Sequence, residues 1–264
     1  MNFKNVIITA MRALARNKMR SSLTSIGIII GISSVIVMVG MGNSARVEVR
    51  KKVNTFGVNS MSIYLNGSRT GKWLRDADII ELKELFPQIE YISPWMRSGK
   101  SLVKYQNRYL NVSLEGVGEQ YYLIKQKNVQ KGRILTSYDI KTTAKVALIG
   151  TTVQENLFGN KNPVGELILV DGVPLTVAGV LELSTESFSG RDFNAVIEIP
   201  YSTFNSRILN RKQFDEVFIK GSDEADVGDL GEAIRGYLIN KFRLRPESHY
   251  LFKLETSEEK LKTA

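Results

Sequence analysis

The sequence predicts an α+β domain carried on one N-terminal transmembrane helix, and three observations lead to that class. Leu23–Gly42 is a run of twenty residues without a charge, with a basic cluster immediately before it. A β-α-β pattern opens the part of the chain beyond this run, and another closes it. Between them lies a stretch of short apolar strands and turn residues, as in a domain split by an insertion.

Residues 1–22 form the first element. Phe3, Ile7, Ala10, Met11 and Leu14 recur at helical spacing, while Lys4, Arg12 and Arg16 fall elsewhere on the wheel. This pattern suits a helix lying in the cytoplasmic interface of a lipid bilayer. The span, residues 23–42, comes next. At 1.5 Å per residue it is about 30 Å long, the thickness of the hydrocarbon core. The basic residues before it place the N-terminus in the cytoplasm and everything after Gly42 outside. A cleaved signal peptide is the competing reading, since Gly40-Met41-Gly42 is a small-x-small triplet. Its apolar run would exceed the usual length of about 7–15 residues, and its basic region is also too long, so a retained anchor is expected.

Within the span, Gly27 and Gly31 form a GxxxG, and Ser34 continues the same face. Small residues at i, i+4 and i+7 let a second transmembrane helix approach closely. GxxxG also arises without a partner, and both readings stand at this point. Residues 43–57 contain no proline or turn signal before Gly57, which suits a helix C-terminus. They read as a helical stalk continuing outward, and such a stalk transmits displacement where a flexible linker does not.

Residues 58–264 read as the outer domain. Met61–Leu65 is a strand, Asp76 caps a helix over Ala77–Phe86, and Pro87 ends it. Strands follow at Tyr91–Trp95, Ser101–Tyr105 and Tyr109–Leu114, the last two a hairpin across Gln106-Asn107-Arg108. Val146–Ile149 leads to a short helix with a capping box from Thr152 to Glu155. Leu167–Val170 and Leu175–Val180 form a hairpin over Asp171-Gly172, the strongest turn signal in the chain. Ser184–Asn194 is a polar loop, and Ala195–Ile199 returns as a strand. At the far end, Glu216–Lys220 is a strand, Asp226 caps a helix bearing Val227, Leu230, Ile234, Leu238 and Phe242, and Tyr250–Leu254 closes the domain. The simplest layout joins both ends of the segment into one α+β unit with a β-rich subdomain, about 125–210, inserted between them.

The charge of +9 invites a nucleic-acid reading. Its distribution argues against one. Lys4, Arg12, Arg16, Lys18 and Arg20 carry five of those charges in the first 45 residues, where no acid occurs; the first carboxylate is Glu48. The rest is spread over sheet-like segments without a basic stripe or a stacking motif, so no nucleic acid is expected as a partner. A hydrophobic fraction of 43% and a charged fraction of 24% exclude disorder as the default.

Catalytic chemistry finds no foothold. The chain has no cysteine and one histidine, His249, which reads as a strand-edge or solvated residue, so no metal is expected. Neither G-x-S-x-G nor H-E-x-x-H is present. Ser98-Gly99-Lys100-Ser101 imitates the end of a P-loop, but Pro94 stands where its first glycine belongs. Gly116-Val117-Gly118 has Tyr121 in place of a third glycine and reads as a tight turn. Glu81, Glu84, Glu258 and Glu259 read as solvated charges. The expectation is a non-enzymatic chain without a cofactor.

Several runs resemble a known family. Arg20–Gly31 (RSSLTSIGIIIG) resembles the opening span of MacB-like and FtsX-like permeases of ABC transporters. Phe56-Gly57-Val58-Asn59 is similar to the family's stalk end, and Lys131-Gly132-Arg133 to its "GR". Val146–Gly150, Leu157-Phe158-Gly159, Pro163-Val164-Gly165, Val177–Val180 and Ile197–Pro200 resemble later family runs in the same order. The resemblance implies a MacB-like periplasmic core domain on a bacterial inner membrane, with a porter-like part and an inserted β-rich subdomain. It also implies mechanotransmission: a separate ABC ATPase subunit hydrolyses ATP, and stalks carry the motion to the periplasmic domains. The implied partners are that ATPase, the remaining permease helices or a second copy of the chain, a periplasmic adaptor protein and the bilayer. Such permeases have three further spans, which this sequence lacks up to Ala264. A split or shortened permease is therefore expected first, and a single-pass scaffold or binding module without transport is the alternative.

Overall fold

The computed structural model describes residues 3–56, 59–65, 71–184, 187–188, 191–209, 213–222, 225–244 and 252–256. The chain divides into two units, Met1–Lys51 and Lys52–Ala264.

Helix α1 (Phe3–Arg16) is separated by Asn17 from helix α2 (Lys18–Phe56). Of the apolar face expected on α1, the side chains of Ile7 and Met11 are described, and both are open to the surroundings. The predicted span lies within α2, where Lys18–Gly42 is long and apolar enough to cross a membrane and is nowhere buried. Some of its hydroxyls bond inside the helix: Thr24 donates to the Arg20 carbonyl at 2.5 Å, and Ser34 to that of Ile30 at 2.8 Å. Internal bonding of this kind lets polar side chains sit in hydrocarbon. The helix does not stop at the end of the apolar run but continues to Phe56. Gly57, expected to terminate it, lies outside the described residues.

The second unit is built on strands β1 (Ser60–Leu65), β2 (Ile89–Tyr105), β3 (Arg108–Val117), β4 (Val129–Gly132), β5 (Val146–Ile149), β6 (Leu167–Val170), β7 (Val173–Leu181), β10 (Val196–Pro200), β11 (Glu216–Gly221) and β12 (Phe252–Thr256). A small hairpin, β8 (Ser187–Phe188) with β9 (Arg191–Asp192), stands apart. The main sheet runs β12-β1-β11-β2-β3-β10-β5-β7-β4, with β6 bridging β2 and β7. The first four strands of that order come from the two ends of the segment, and β1 pairs antiparallel with both β11 and β12. The remaining strands, closed by β6 through Val103↔Val170 and Lys104↔Leu169, make a six-membered circuit β2-β3-β10-β5-β7-β6. Closure removes exposed sheet edges and encloses an apolar core. Val103, Leu114, Ala147, Ile168, Val177 and Ile197, one from each strand, are at most 1% exposed. Two strands of the circuit, β2 and β3, lie outside residues 125–210.

Helices α3 (Asp76–Leu85) and α8 (Val227–Phe242) are pinned to each other. Lys241 Nζ sits 2.7 Å from Asp78, and Tyr237 and Lys241 both donate to Glu81. Glu81 is therefore a bridging acceptor; only its partner helix, 150 residues on, reveals that. Short helices α4 (Tyr121–Lys125), α5 (Ser137–Lys141) and α6 (Thr151–Leu157) pack on the β-rich part, and α7 (Tyr201–Thr203) leads into a π-helical turn, Phe204–Leu209.

Local chemistry explains where the sequence expectations hold and where they shift. Asp226 caps α8, accepting from the backbone N–H of Gly228 at 2.8 Å and Asp229 at 3.2 Å. Asp226→Ala should therefore cost about 1 kcal/mol in chemical denaturation. Asp171-Gly172 turns β6 into β7 with both φ angles positive, 47° and 82°, as the tightest right-twisted hairpins require. Asp76 does not cap α3. The N-cap is Arg75, whose N–H donates to Asp78 at 2.7 Å, and Asp76 accepts instead from Tyr201. The Thr152–Glu155 box is not formed either: Gly150 is the N-cap of α6, and Thr152 donates to Asp192. A true box forms at Thr136–Asp139, ahead of α5. Tyr91–Trp95 and Ser101–Tyr105 prove to be one strand, interrupted by a bulge between Ser98 and Ser101. Gly116 is not in a turn but in β3, where Phe204 Cβ would lie 2.7 Å from any added Cβ.

Candidate functional site

The three small residues singled out in the sequence lie on α2. Gly27, Gly31 and Ser34 fall within about 60° of one another on an ideal helix. No atom lies within 4 Å of a Cβ built on Gly27 or Gly31. The Ser34 hydroxyl is already committed to the Ile30 carbonyl, so this face offers small volume rather than a free donor. The three residues share one strip of the helix, and all three are exposed.

The outer unit holds three further features. The first is a cleft of about 510 Å³ between α3 and α5. Ile79, Ile80 and Lys83 form one wall, Ser137, Ile140 and Lys141 the other, with Ile92, Pro94 and Tyr201 among the remaining lining residues. Its volume is in the range of small-molecule pockets. The segment after β10 holds the walls together: Tyr201 donates to Asp76 at 2.8 Å, Ser202 to the Ile140 carbonyl at 2.6 Å, and Thr203 to the Ala144 carbonyl at 2.8 Å. Burial, followed by the Asp76 bond and charge, pushes the Tyr201 hydroxyl well above the ordinary tyrosine range, so it acts as a fixed donor.

The second feature is an apolar strip on the outer face of the circuit. Lys104 of β2 pairs with Tyr109 of β3 on one side and Leu169 of β6 on the other. With Leu102 and Leu167 these residues are exposed, Tyr109 by 74%. The strip lies at the hairpin end of β2, with Lys104 fifteen residues along the strand from Ile89, whose partner Gly221 neighbours the start of β1. At about 3.3 Å per residue that is roughly 50 Å of strand contour.

The third feature is a buried charge cluster. Glu198, at the centre of β10, has no exposed surface and is the register partner of Glu115 on parallel strand β3, which is 6% exposed. Lys127 Nζ lies 2.5 Å from Glu198 Oε1. Trp95 Nε1 donates to Glu115 at 3.0 Å. Burial drives Glu198 above the ordinary carboxylate range; Lys127 opposes this and the neighbouring Glu115 adds to it. The signal for this cluster in the sequence is a lone Glu inside Val196–Pro200 and another inside Val112–Val117, among apolar residues that otherwise read as core. None of the three features assembles a nucleophile, a base and an anion-stabilising group. Among the described residues no group of three or more His, Cys, Asp or Glu side chains could hold a metal ion.

Known proteins resemble this chain along most of its length. The chain is 26% identical to the macrolide export ATP-binding/permease protein MacB of Vibrio parahaemolyticus, over 97% of its own residues and 39% of that protein. It is 32% identical to the MacB of Neisseria gonorrhoeae, over 82% of its residues and 34% of the relative. It thus spans between a third and two fifths of the length of these relatives. Among solved structures, the periplasmic region of MacB from Actinobacillus actinomycetemcomitans superposes with a TM-score of 0.66 at 21% identity, covering 82% of this chain and 97% of that one. The extracellular domain of the ABC-type transporter YknZ from Gram-positive bacteria superposes with a TM-score of 0.62 at 17% identity, covering 75% and 100% respectively. At these identities the structures show a shared fold. The MacB-like periplasmic core domain family matches residues 21–237, from within the membrane helix into α8, and the chain belongs to that family.

Proposed function

We propose that the chain is a non-catalytic membrane component of an ABC-type export system, transmitting ATP-driven motion from the bilayer to a periplasmic domain. One observation carries the reading: α2 is a single helix of 39 residues. That is about 58 Å of helix, nearly twice what the hydrocarbon core needs, and it stops four residues before β1. The basic N-terminal segment stays in the cytoplasm under the positive-inside rule, and α1 lies in that interface. The split half of the sheet corresponds to a porter-like part, with the six-strand circuit as the inserted subdomain. ATP hydrolysis belongs to an ABC ATPase outside the matched segment. The Gly27–Gly31–Ser34 strip packs against the remaining permease helices or a second copy, and the Leu102–Tyr109–Leu167–Leu169 strip, farthest from the chain's entry to the sheet, suits a periplasmic adaptor protein.

Co-purification from membranes tests this. The chain should retain an ABC ATPase, and Gly27→Leu with Gly31→Leu should reduce that retention by roughly an order of magnitude, the scale of membrane-helix contacts. Circular-dichroism melting of the outer unit should stay unchanged. Full retention in the double variant would remove the packing role. Absence of any ATPase from the wild-type complex would instead favour an anchored scaffold or binding module.

A further inference from the structure

Charge in the first unit runs one way. Lys4, Arg12, Arg16, Lys18 and Arg20 precede the apolar run, and the one carboxylate of Met1–Lys51 is Glu48. About 42 Å of continuous helix separates Arg20 from Glu48, several times the screening distance of about 8 Å at physiological salt. Arg12, Arg16, Lys18 and Arg20 are all exposed, and no acid of the unit is near enough to neutralise them. Their counter-charge has to come from outside it.

Apolar surface lies beside these cations. Arg12 and Arg16 fall about 40° apart on an ideal helix, and so do Ile7 and Met11, with the two pairs about 140° from each other. Ile7 and Met11 are open to the surroundings, and Lys18 and Arg20 open α2 directly after α1. Four cations thus fall within residues 12–20, beside an apolar row and at the start of a helix able to cross a membrane. A layer that offers hydrocarbon on one side and phosphate on the other satisfies both rows at once. Guanidinium groups bind phosphate oxygens in pairs through their fork of N–H donors. A zwitterionic headgroup carries its own ammonium beside the phosphate, which repels these cations; a headgroup of net negative charge does not.

We propose that α1 and the first turn of α2 form a binding surface for anionic phospholipid. Phosphates engage Arg12 and Arg16, Lys18 and Arg20 add to the attraction, and Ile7 and Met11 enter the acyl layer. The proposal rests on the reading of α1 as an interfacial helix and adds the class of lipid that it selects.

The absence of cysteine from the chain makes a site-specific test direct, since Asn17→Cys places a single fluorescent label between the two helices. The labelled full chain is reconstituted into phosphatidylcholine vesicles. These contain a small fraction of chain-spin-labelled phosphatidylglycerol or, separately, of phosphatidylcholine labelled on the same acyl chain. Half-quenching should need about tenfold less of the anionic lipid, the scale of a few cations near a charged headgroup. Arg12→Gln with Arg16→Gln should bring the two lipids within about twofold of each other. Lys104→Gln with Lys145→Gln, the same loss of charge at exposed positions of the outer unit, should leave the preference intact. Sodium chloride at about 1 M should shrink it, because screening then acts within about 3 Å. Equal quenching by both lipids in the wild type would overturn the proposal and leave the interfacial position of α1 standing, the cations then belonging to an acidic protein partner. Quenching by neither lipid would overturn both. A preference erased by inorganic phosphate, but not by sodium chloride of equal ionic strength, would assign the surface to a free anion instead.

Discussion

Lys127→Met should lower the unfolding free energy of the outer unit by about 3 kcal/mol at neutral pH. This is the lower end of what removing one partner of a buried ion pair costs, because Lys127 is partly exposed. The loss arises from what remains: Glu198, with no exposed surface and no cation, in a strand whose other residues are all buried. The deficit should depend on pH with a definite sign. The folded-state pKa of Glu198 is raised above its unfolded value, burial being the main cause. Its favourable contribution is therefore complete below the unfolded glutamate pKa and is lost as pH rises through the folded one. Removing Lys127 extends that window upward, so the variant should approach wild type as the solution is acidified. Replacing both residues, Lys127→Met with Glu198→Leu, should recover most of the loss, since an apolar substitute for a buried pair is often neutral. Urea titration followed by tryptophan fluorescence measures this, with Trp95 reporting from inside the cluster. Equal deficits at neutral and acidic pH would show that Lys127 acts through packing alone.

Gly132→Ala should be at least as damaging, costing about 3 kcal/mol or more. Gly132 sits at φ +80°, and an added Cβ would lie 2.2 Å from the Ala178 carbonyl oxygen and 2.7 Å from Gly179 Cα. Both neighbours are backbone in the paired strand β7, so neither can rotate aside. Gly172→Ala provides the control: φ is +82°, but nothing lies within 4 Å. It meets the left-handed strain alone, about 1–2 kcal/mol. The difference between the two variants in denaturant midpoint isolates the steric contribution. Equal midpoints would mean that β4 moves away from β7 at little cost.

Most of the fold was legible because its signals are local. The span needs only twenty uncharged residues, the Asp171-Gly172 hairpin only two residues that tolerate positive φ, and the cap on α8 only an aspartate before an apolar helical pattern. The misassigned details each had a local rival decided at a distance. Asp76 looked like the cap of α3, but Tyr201, more than a hundred residues on, engages it, and Arg75 is the N-cap, its N–H donating to Asp78. Thr152 had a glutamate three residues later, but Asp192 lies closer in space. Gly116 looked like a turn residue because nothing nearby in sequence announces Phe204.

By itself the amino-acid order marked one apolar run long enough to cross a membrane and where most of the helices and strands fall. Those properties follow from hydropathy, charge and backbone preference, which act over a few residues at a time. Only the tertiary structure decided that β6 closes a six-strand circuit, that α3 and α5 enclose a cleft, and that Glu115, Glu198 and Lys127 share one buried site. These depend on strand register, and register is set by the packing of segments far apart in the chain, where a shift of one residue would turn each carboxylate to the opposite face.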